Sequence, residues 1–234
     1  MHSDRPAPSH PEAHPESTQR VLLAVGFVLL LLVIDQWIKV TVKTTMMLGE
    51  SVRVADWFFI YFTENPGMAF GWEVVSKTFL TLFRLAACGF LAYLLLRTSR
   101  RRYSIGFLLC MAAILAGAIG NIIDSVFYGV IFSSSYGQVA AFLPDGGGYA
   151  GWLQGKVVDM FYFPLINTVW PDWVPFVGGE ELIFFRPIFN FADACISVGV
   201  ISLVLFYSRS FSTLLGAREE QKADPGNDDL LSRE

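Results

Sequence analysis

Four long apolar stretches set the terms on which this chain can fold. They run over 21–42 ("VLLAVGFVLLLLVIDQWIKVTV"), 78–96 ("TFLTLFRLAACGFLAYLLL"), 105–124 ("IGFLLCMAAILAGAIGNIID") and 187–207 ("PIFNFADACISVGVISLVLFY"). About 20 helical residues cross the roughly 30 Å hydrocarbon core of a bilayer, so each stretch is long enough to span one. Composition agrees: 53% of the 234 residues are hydrophobic and only 16% are charged, too few to cover a water-facing surface. The first stretch lacks the basic flank and small-residue cleavage site of a secretory leader, and we read it as a span. The expected fold is an all-α membrane protein with a small β element and four transmembrane helices over 21–208, between a disordered tail at 1–20 and a polar tail at 209–234.

Short loops rich in Lys and Arg stay on the cytoplasmic side. Arg20 precedes the first span, Arg97, Arg100, Arg101 and Arg102 fill the loop between the second and third, and Arg209 and Arg218 follow the fourth. Both termini are therefore expected inside, with segments 43–77 and 125–186 outside. In the first of these, "SVRVADWFFIYFTENPGMAFGW" places β-branched and aromatic runs before a turn signal, which predicts a small sheet at the membrane surface. The second carries "SSSYG", "PDGGGYAGW" and "PDWVPFVGGEE", the marks of irregular, aromatic-rich loops.

Several kinds of chemistry drop out early. His2, His10 and His14 all lie in the N-terminal tail, so no histidine is expected near an ordered site to serve as general base, triad member or zinc ligand. Cys88, Cys110 and Cys195 are scattered through apolar runs and read as small hydrophobes. No metal or cofactor is expected. The net charge is −4, and no basic stripe is interleaved with aromatics, so nucleic acid is not an expected partner.

What remains is a pattern of depth. Asp35 and Lys39 form an i,i+4 pair near the outer end of the first span. Asn121 and Asp124 close the third on the same side, Asn190 and Asp193 open the fourth, and Asp159 sits among apolar neighbours in "KVVDMFYF". An aspartate near the bilayer centre costs about 2.5–3.5 kcal/mol and less toward the interface, so a set of them on one side points to a shared cavity. Two carboxylates held close in a partly dry site share one proton and titrate apart. Such a pair can deprotonate water and protonate a carbonyl together. Two other uses of these groups stay open: a proton-coupled transporter with outer-side carboxylates, and a non-catalytic assembly or lipid-binding protein with polar residues as glue. A Ser/Lys peptidase built on Ser133–Ser135 and Lys156 is a further rival.

Five ordered blocks, "DQWIK" (35–39), "ENPGMAFG" (64–71), "GAIGNIID" (117–124), "GKVVDM" (155–160) and "FNFADACISVG" (189–199), resemble lipoprotein signal peptidase (signal peptidase II), a bacterial membrane aspartyl peptidase family. The resemblance implies catalytic aspartates at Asp159 and Asp193. It implies site-shaping or substrate-binding roles for Asp35, Lys39, Asn65, Gly67, Gly117, Gly120, Asn121, Asp124, Val157, Phe189, Asn190 and Ala192. It also implies a four-helix bundle in the inner membrane with a periplasmic β-cradle and an extra outer helix. The activity implied is cleavage of a diacylglyceryl-modified prolipoprotein before its lipid-bearing cysteine, with that substrate and membrane lipids as partners. Two departures stand out. Ser125 occupies the place of the family's arginine after Asp124, with Arg84 and Arg186 as candidates to supply its charge. The 126–154 stretch is longer than the family's usual link, and is either a lid over the site or a decorated loop.

Overall fold

The computed structural model describes residues 15–67, 77–101, 103–164, 166–184 and 187–214. The three histidines, Arg102, Arg186, most of the N-terminal tail, the end of the "ENPGMAFG" block and the tail from 215 onward lie outside these residues.

Helix α1 (Pro15–Thr45) is 31 residues long, about 46 Å at 1.5 Å per residue, and so outruns a bilayer core. It begins inside what was expected to be a disordered tail, because the polar "PESTQR" segment continues the helix of the apolar run. Helices α2 (Lys77–Ser99) and α3 (Ile105–Ile123) follow the predicted spans closely. Leu29, Leu30 and Val33 of α1, and Phe79, Leu82 and Phe83 of α2, stand exposed, as lipid-facing positions of a bundle must. The last helix, α5 (Phe191–Phe206), starts four residues later than predicted. It is followed, at a bend of 95°, by a short helix at Ser208–Leu214, within the expected tail. Among the described residues three helices are thus long and apolar enough to cross a membrane, and four if this bent pair is one span.

At the centre of the bundle α3 packs against α1, α2 and α5. Phe107, Leu108, Met111, Ala112, Leu115 and Ala116 form its buried face. Close approach of α5 depends on glycine. A Cβ on Gly117 would lie 2.3 Å from the Ala192 carbonyl oxygen and 2.7 Å from Ile196 Cγ1. One on Gly120 would lie 2.5 Å from Asp35 Oδ2. These glycines are helix-packing contacts.

The small β element expected of the chain is an antiparallel sheet, formed because two segments distant in sequence pair across the molecule. Strands β1 (Ser51–Ala55), β2 (Phe58–Asn65), β3 (Val157–Tyr162) and β6 (Ile188–Phe189) form one antiparallel sheet in the order β1-β2-β3-β6. Strands β4 (Ile166–Val169) and β5 (Glu181–Phe184) form a separate hairpin. Aromatic and β-branched residues at most β2 positions favour this pleated, half-buried surface. Strand β6 runs through Asn190 directly into α5, so the sheet and the last helix are one continuous piece of chain.

The long insertion is a mostly irregular loop tied by backbone hydrogen bonds to the end of α3. Beyond Ile123 the helix widens into a π-helical turn, Asp124–Tyr128, and ends in α4 (Gly129–Ile131). Carbonyls along this irregular end accept N–H groups from the returning chain: Ser125 from Gly155 (2.9 Å), Val126 from Leu153 (3.2 Å) and Gly129 from Ala150 (2.9 Å). A Cβ on Gly155 would lie 2.0 Å from the Asp124 carbonyl oxygen, and one on Gly148 2.1 Å from that of Gly129, so only glycine fits the seam.

Substituting Gly117 by Ala is expected to push α5 off α3 and destabilise the protein by about 1–3 kcal/mol, the usual cost of overpacking. Gly26→Ala in α1, whose new Cβ meets nothing within 4 Å, should leave stability unchanged or raised. Unfolding of both variants in detergent micelles checks the difference.

Candidate active site

Helix α5 opens with a reciprocal cap. Asn190, still extended at φ −117° and ψ 179°, accepts the Asp193 N–H through its side chain (2.9 Å), while the Asp193 carboxylate accepts the Asn190 N–H (3.3 Å). An acid at the third helical position satisfies an otherwise orphaned donor and faces the positive end of the helix dipole. Asp193 is thereby fixed at the mouth of an apolar helix while its side chain stays half-buried.

Asp159 comes from β3 and is 3% exposed. Its Oδ1 accepts from Asn190 Nδ2 at 2.6 Å, and the Asn65 side chain lies near enough to the same carboxyl to favour its ionised form. Asn190 therefore touches both acids, the Asp159 carboxyl through its side-chain amide and the Asp193 carboxyl through its backbone N–H. Burial pushes the Asp159 carboxyl up, the negative charge of Asp193 pushes it further, and the Asn190 and Asn65 side chains offset only part, so it titrates at about 7.

Behind this pair lies a fully buried cation. Lys39 donates to Asp35 Oδ2 (3.0 Å), Asp124 Oδ2 (2.9 Å) and Asn121 Oδ1 (2.9 Å), using all three of its N–H groups. Since Asn121 Oδ1 also accepts from Asn190 (3.2 Å), its amide nitrogen is turned toward Asp193, to which it donates at 2.8 Å. Asp35 Oδ1 accepts the Ala192 N–H (3.0 Å) and so caps α5 a second time. Asp124 Oδ2 accepts the Val158 N–H (3.2 Å) and pins β3 beside Asp159.

The residues singled out in the sequence divide into groups. Asp159, Asp193, Asn190, Asn121, Asp35, Lys39, Asp124 and Asn65 form one connected network. Gly67, at φ +80°, holds the turn after β2, where its N–H meets Asn65 Oδ1 (2.8 Å) and its carbonyl accepts from Arg84 (3.3 Å). Arg84 thus serves that turn and forms no carboxylate pair among the described residues. Val157, Ala192 and Gly117 are packing positions, and Phe189 stacks on Phe163 and meets Phe161 edge-on. Ser125 returns its hydroxyl to the Asn121 carbonyl (2.9 Å) and takes over no charge.

Some contributors escaped the sequence reading. Gln36 bridges Asp35 and Asp124 (3.1 Å each), and Tyr128 donates to Gln36 (3.1 Å). Gln36 stood inside the "DQWIK" block and was open to notice; nothing in the sequence marks Tyr128. The Ser/Lys alternative fails on geometry. Ser135 is buried against Lys43 and Glu64, and Lys156 pairs with Glu64.

Replacing Lys39 by Met leaves two buried carboxylates without their cation. The expected loss is about 3–5 kcal/mol, the cost of breaking a buried ion pair from one side. Denaturation of the purified variant in micelles measures it.

Comparison with known proteins gives a consistent answer. The family model described as signal peptidase (SPase) II matches residues 27–209. A lipoprotein signal peptidase of Porphyromonas gingivalis is 58% identical over 198 residues, covering 84% of this chain and 88% of the relative. One from Amoebophilus asiaticus is 35% identical, covering 80% and 78%. In fold the chain is similar to a bacterial membrane enzyme solved by the in meso method at 1.9 Å resolution, with a TM-score of 0.53 and 22% identity over 78% of this chain and 90% of that one. With the match running from inside α1 to just past α5, and the relatives aligned over most of their own length, this chain belongs to the signal peptidase II family.

Proposed function

We propose that the protein is an aspartic endopeptidase that removes the signal peptide from diacylglyceryl-modified prolipoproteins, cutting before the lipid-bearing cysteine, with Asp159 and Asp193 as its catalytic pair. One observation supports the assignment of the pair: a strand acid and a helix-cap acid converge on Asn190, the first on its side-chain amide and the second on its backbone N–H, and the strand acid keeps its proton to near neutrality.

The chemistry follows from one shared proton. The ionised acid takes a proton from a water placed between the two carboxyls. The protonated acid gives its own to the scissile carbonyl oxygen as the water oxygen attacks the carbonyl carbon. The tetrahedral diol collapses as a proton passes to the leaving amine. Asn65, Asn121 and Asn190 keep the carboxyl oxygens aimed throughout, and need not change charge to do so.

The basic flanks described above support a placement in the bacterial cytoplasmic membrane, with both termini inside and the catalytic pair on the outer side. There a peptide tethered by its acyl chains would present its scissile bond. A transporter fits less well. Between Glu16 and Asp35 in α1, and along α2, α3 and α5 beyond Asp193, no acid continues a path across the bundle.

Purified protein should cleave a synthetic diacylglyceryl lipopeptide, and Asp159→Asn or Asp193→Asn should each lower kcat by at least about 10³-fold in folded protein. Normal turnover by either variant would end the assignment. Because Asp159 is raised, the shared proton is present below about 7 and is lost above it. In the wild type kcat/KM should therefore fall on the alkaline side, approaching about tenfold per pH unit. An alkaline limb that stayed flat to pH 9 would contradict the shared proton.

A further inference from the structure

A second buried charge cluster lies behind the catalytic strand and takes no part in the chemistry above. In β2, Thr63 faces Asp159, Glu64 faces Val158 and Asn65 faces Val157 across the β2–β3 pairing. Side chains alternate along a strand, so Thr63 and Asn65 share the face of Asp159, while Phe62 and Glu64 share the opposite face with Val158 and Met160. Phe62, Val158 and Met160 are accordingly buried against Val42, Met46 and Phe132. Glu64 is the charged member of this apolar face.

Its carboxylate is bound from three directions. Lys43, in the last turn of α1, and Ser135, in the insertion, both donate to Oε1, and Lys156, the residue just before β3, donates to Oε2 at 3.1 Å. Lys43 is fully buried. It donates to Ser135 Oγ as well (2.9 Å), and its ammonium lies 5.0 Å from the Tyr149 ring centre and 5.5 Å from that of Phe132. Tyr149 in turn accepts the Lys156 N–H at 2.7 Å. Burial alone would raise the Glu64 carboxyl, but the two lysines outweigh it and hold it below its ordinary range.

Buried ion pairs add little net stability over a well-packed apolar set, so stability does not account for this one. Register does. The β2–β3 pairing shifts between Ile60 and Thr63, so the ladder at Phe59 and Ile60 does not dictate how Thr63–Asn65 meet Val157–Asp159. A slip of one residue beyond that irregularity would carry Asn65 to the back face and leave Asp159 with Asn190 as its remaining amide neighbour. A carboxylate tied at once to α1, to the insertion and to the entry of β3 forbids the slip.

We propose that Glu64 is a positioning residue for catalysis: through Lys43, Ser135 and Lys156 it locks the register of β2 on β3 and so holds Asn65 against Asp159. The insertion acquires a role by the same route, as the carrier of Ser135 and Tyr149. This inference rests on Asp159 and Asp193 being the catalytic pair, which Asp159→Asn tests separately in the same assay.

Two variants decide it. Glu64→Gln keeps the shape and removes the charge. The double variant Lys43→Met with Glu64→Leu removes both buried charges together, so that no lone ammonium is left to unfold the protein; Lys156, 39% exposed at its side chain, stays solvated. In both, kcat on the lipopeptide should drop about 10- to 100-fold, as expected for a small misplacement of a catalytic group. KM should stay within about twofold, and the double variant should melt like the wild type. Wild-type kcat in the folded double variant would overturn the proposal. So would recovery, in the double variant, of activity lost in Glu64→Gln, because the loss would then belong to an unpaired Lys43. If Glu64→Gln fails to fold, the double variant decides between these outcomes by itself.

Discussion

A single ammonium group organises the sheet end of the bundle. Moving Lys39 out of water carries a penalty of several kcal/mol, offset only if the cation and each of its acceptors are fully hydrogen-bonded. The acceptors, Asp35, Asp124 and Asn121, lie on α1 and at the end of α3, and none is satisfied by Lys39 alone. Asp35 finds its second donor in the first turn of α5, Asp124 in the backbone of β3, and Asn121 turns its amide to Asp193. Apart from the Gln36 bridge, these bonds land on elements that carry one of the two central acids. Completing the shell of one buried cation is what draws a loop-borne strand and a distant helix to the same place.

The same constraint explains an aspartate at the entrance of an apolar helix. Four N–H groups at a helix start have no partner within the helix, and in a nearly dry environment each is costly. Asp193 takes one of them and Asn190 another, while Asp35 supplies a third bond from α1. The polar residues that terminate α5 are therefore the residues that form the site. A substitution that removed the chemistry by deleting the side chain would also uncap the helix, which is why the isosteric Asp→Asn change is the informative one.

How much of this was legible beforehand depended on the distance between partners in the chain. The spans followed from apolar length alone, and the Asp35–Lys39 pair from its i,i+4 spacing. The motif blocks named the central network residue by residue. Their roles were less visible: Gly117 and Ala192 pack helices, Phe189 stacks on the sheet, and Arg84 holds a turn, because each depends on a neighbour far away in sequence. The start of α5 was misplaced since "PIFN" is as apolar as the helix after it, and only pairing with Phe161 and Tyr162 makes Ile188–Phe189 a strand. The insertion was opaque for a related reason. Its glycines read as marks of an irregular loop, yet they permit contact with carbonyls that a π-helical turn leaves available, and no local pattern announces that turn.

The proposed sharing of a proton requires the two acids to be held close together, and they belong to different elements. Strand β3 is restrained on every side: by β2 along one edge, by β6 along the other, by Asp124 at the Val158 N–H, and by Lys156 on Glu64 just before its first residue. Helix α5 cannot shift far from it, because Asn190 is both the last residue of the chain leading from the sheet and the donor to Asp159. The geometry of the pair thus reduces to one side-chain amide with three of its bonds accounted for: to Asp159, to Asn121 and from the Asp193 N–H. Preorganisation of this kind lowers the reorganisation needed as charge moves between the carboxyls, and it is achieved with neutral amides at the pair and charges one shell away. Placing Lys39 directly on either acid would instead have pulled its proton off and left no acid to donate.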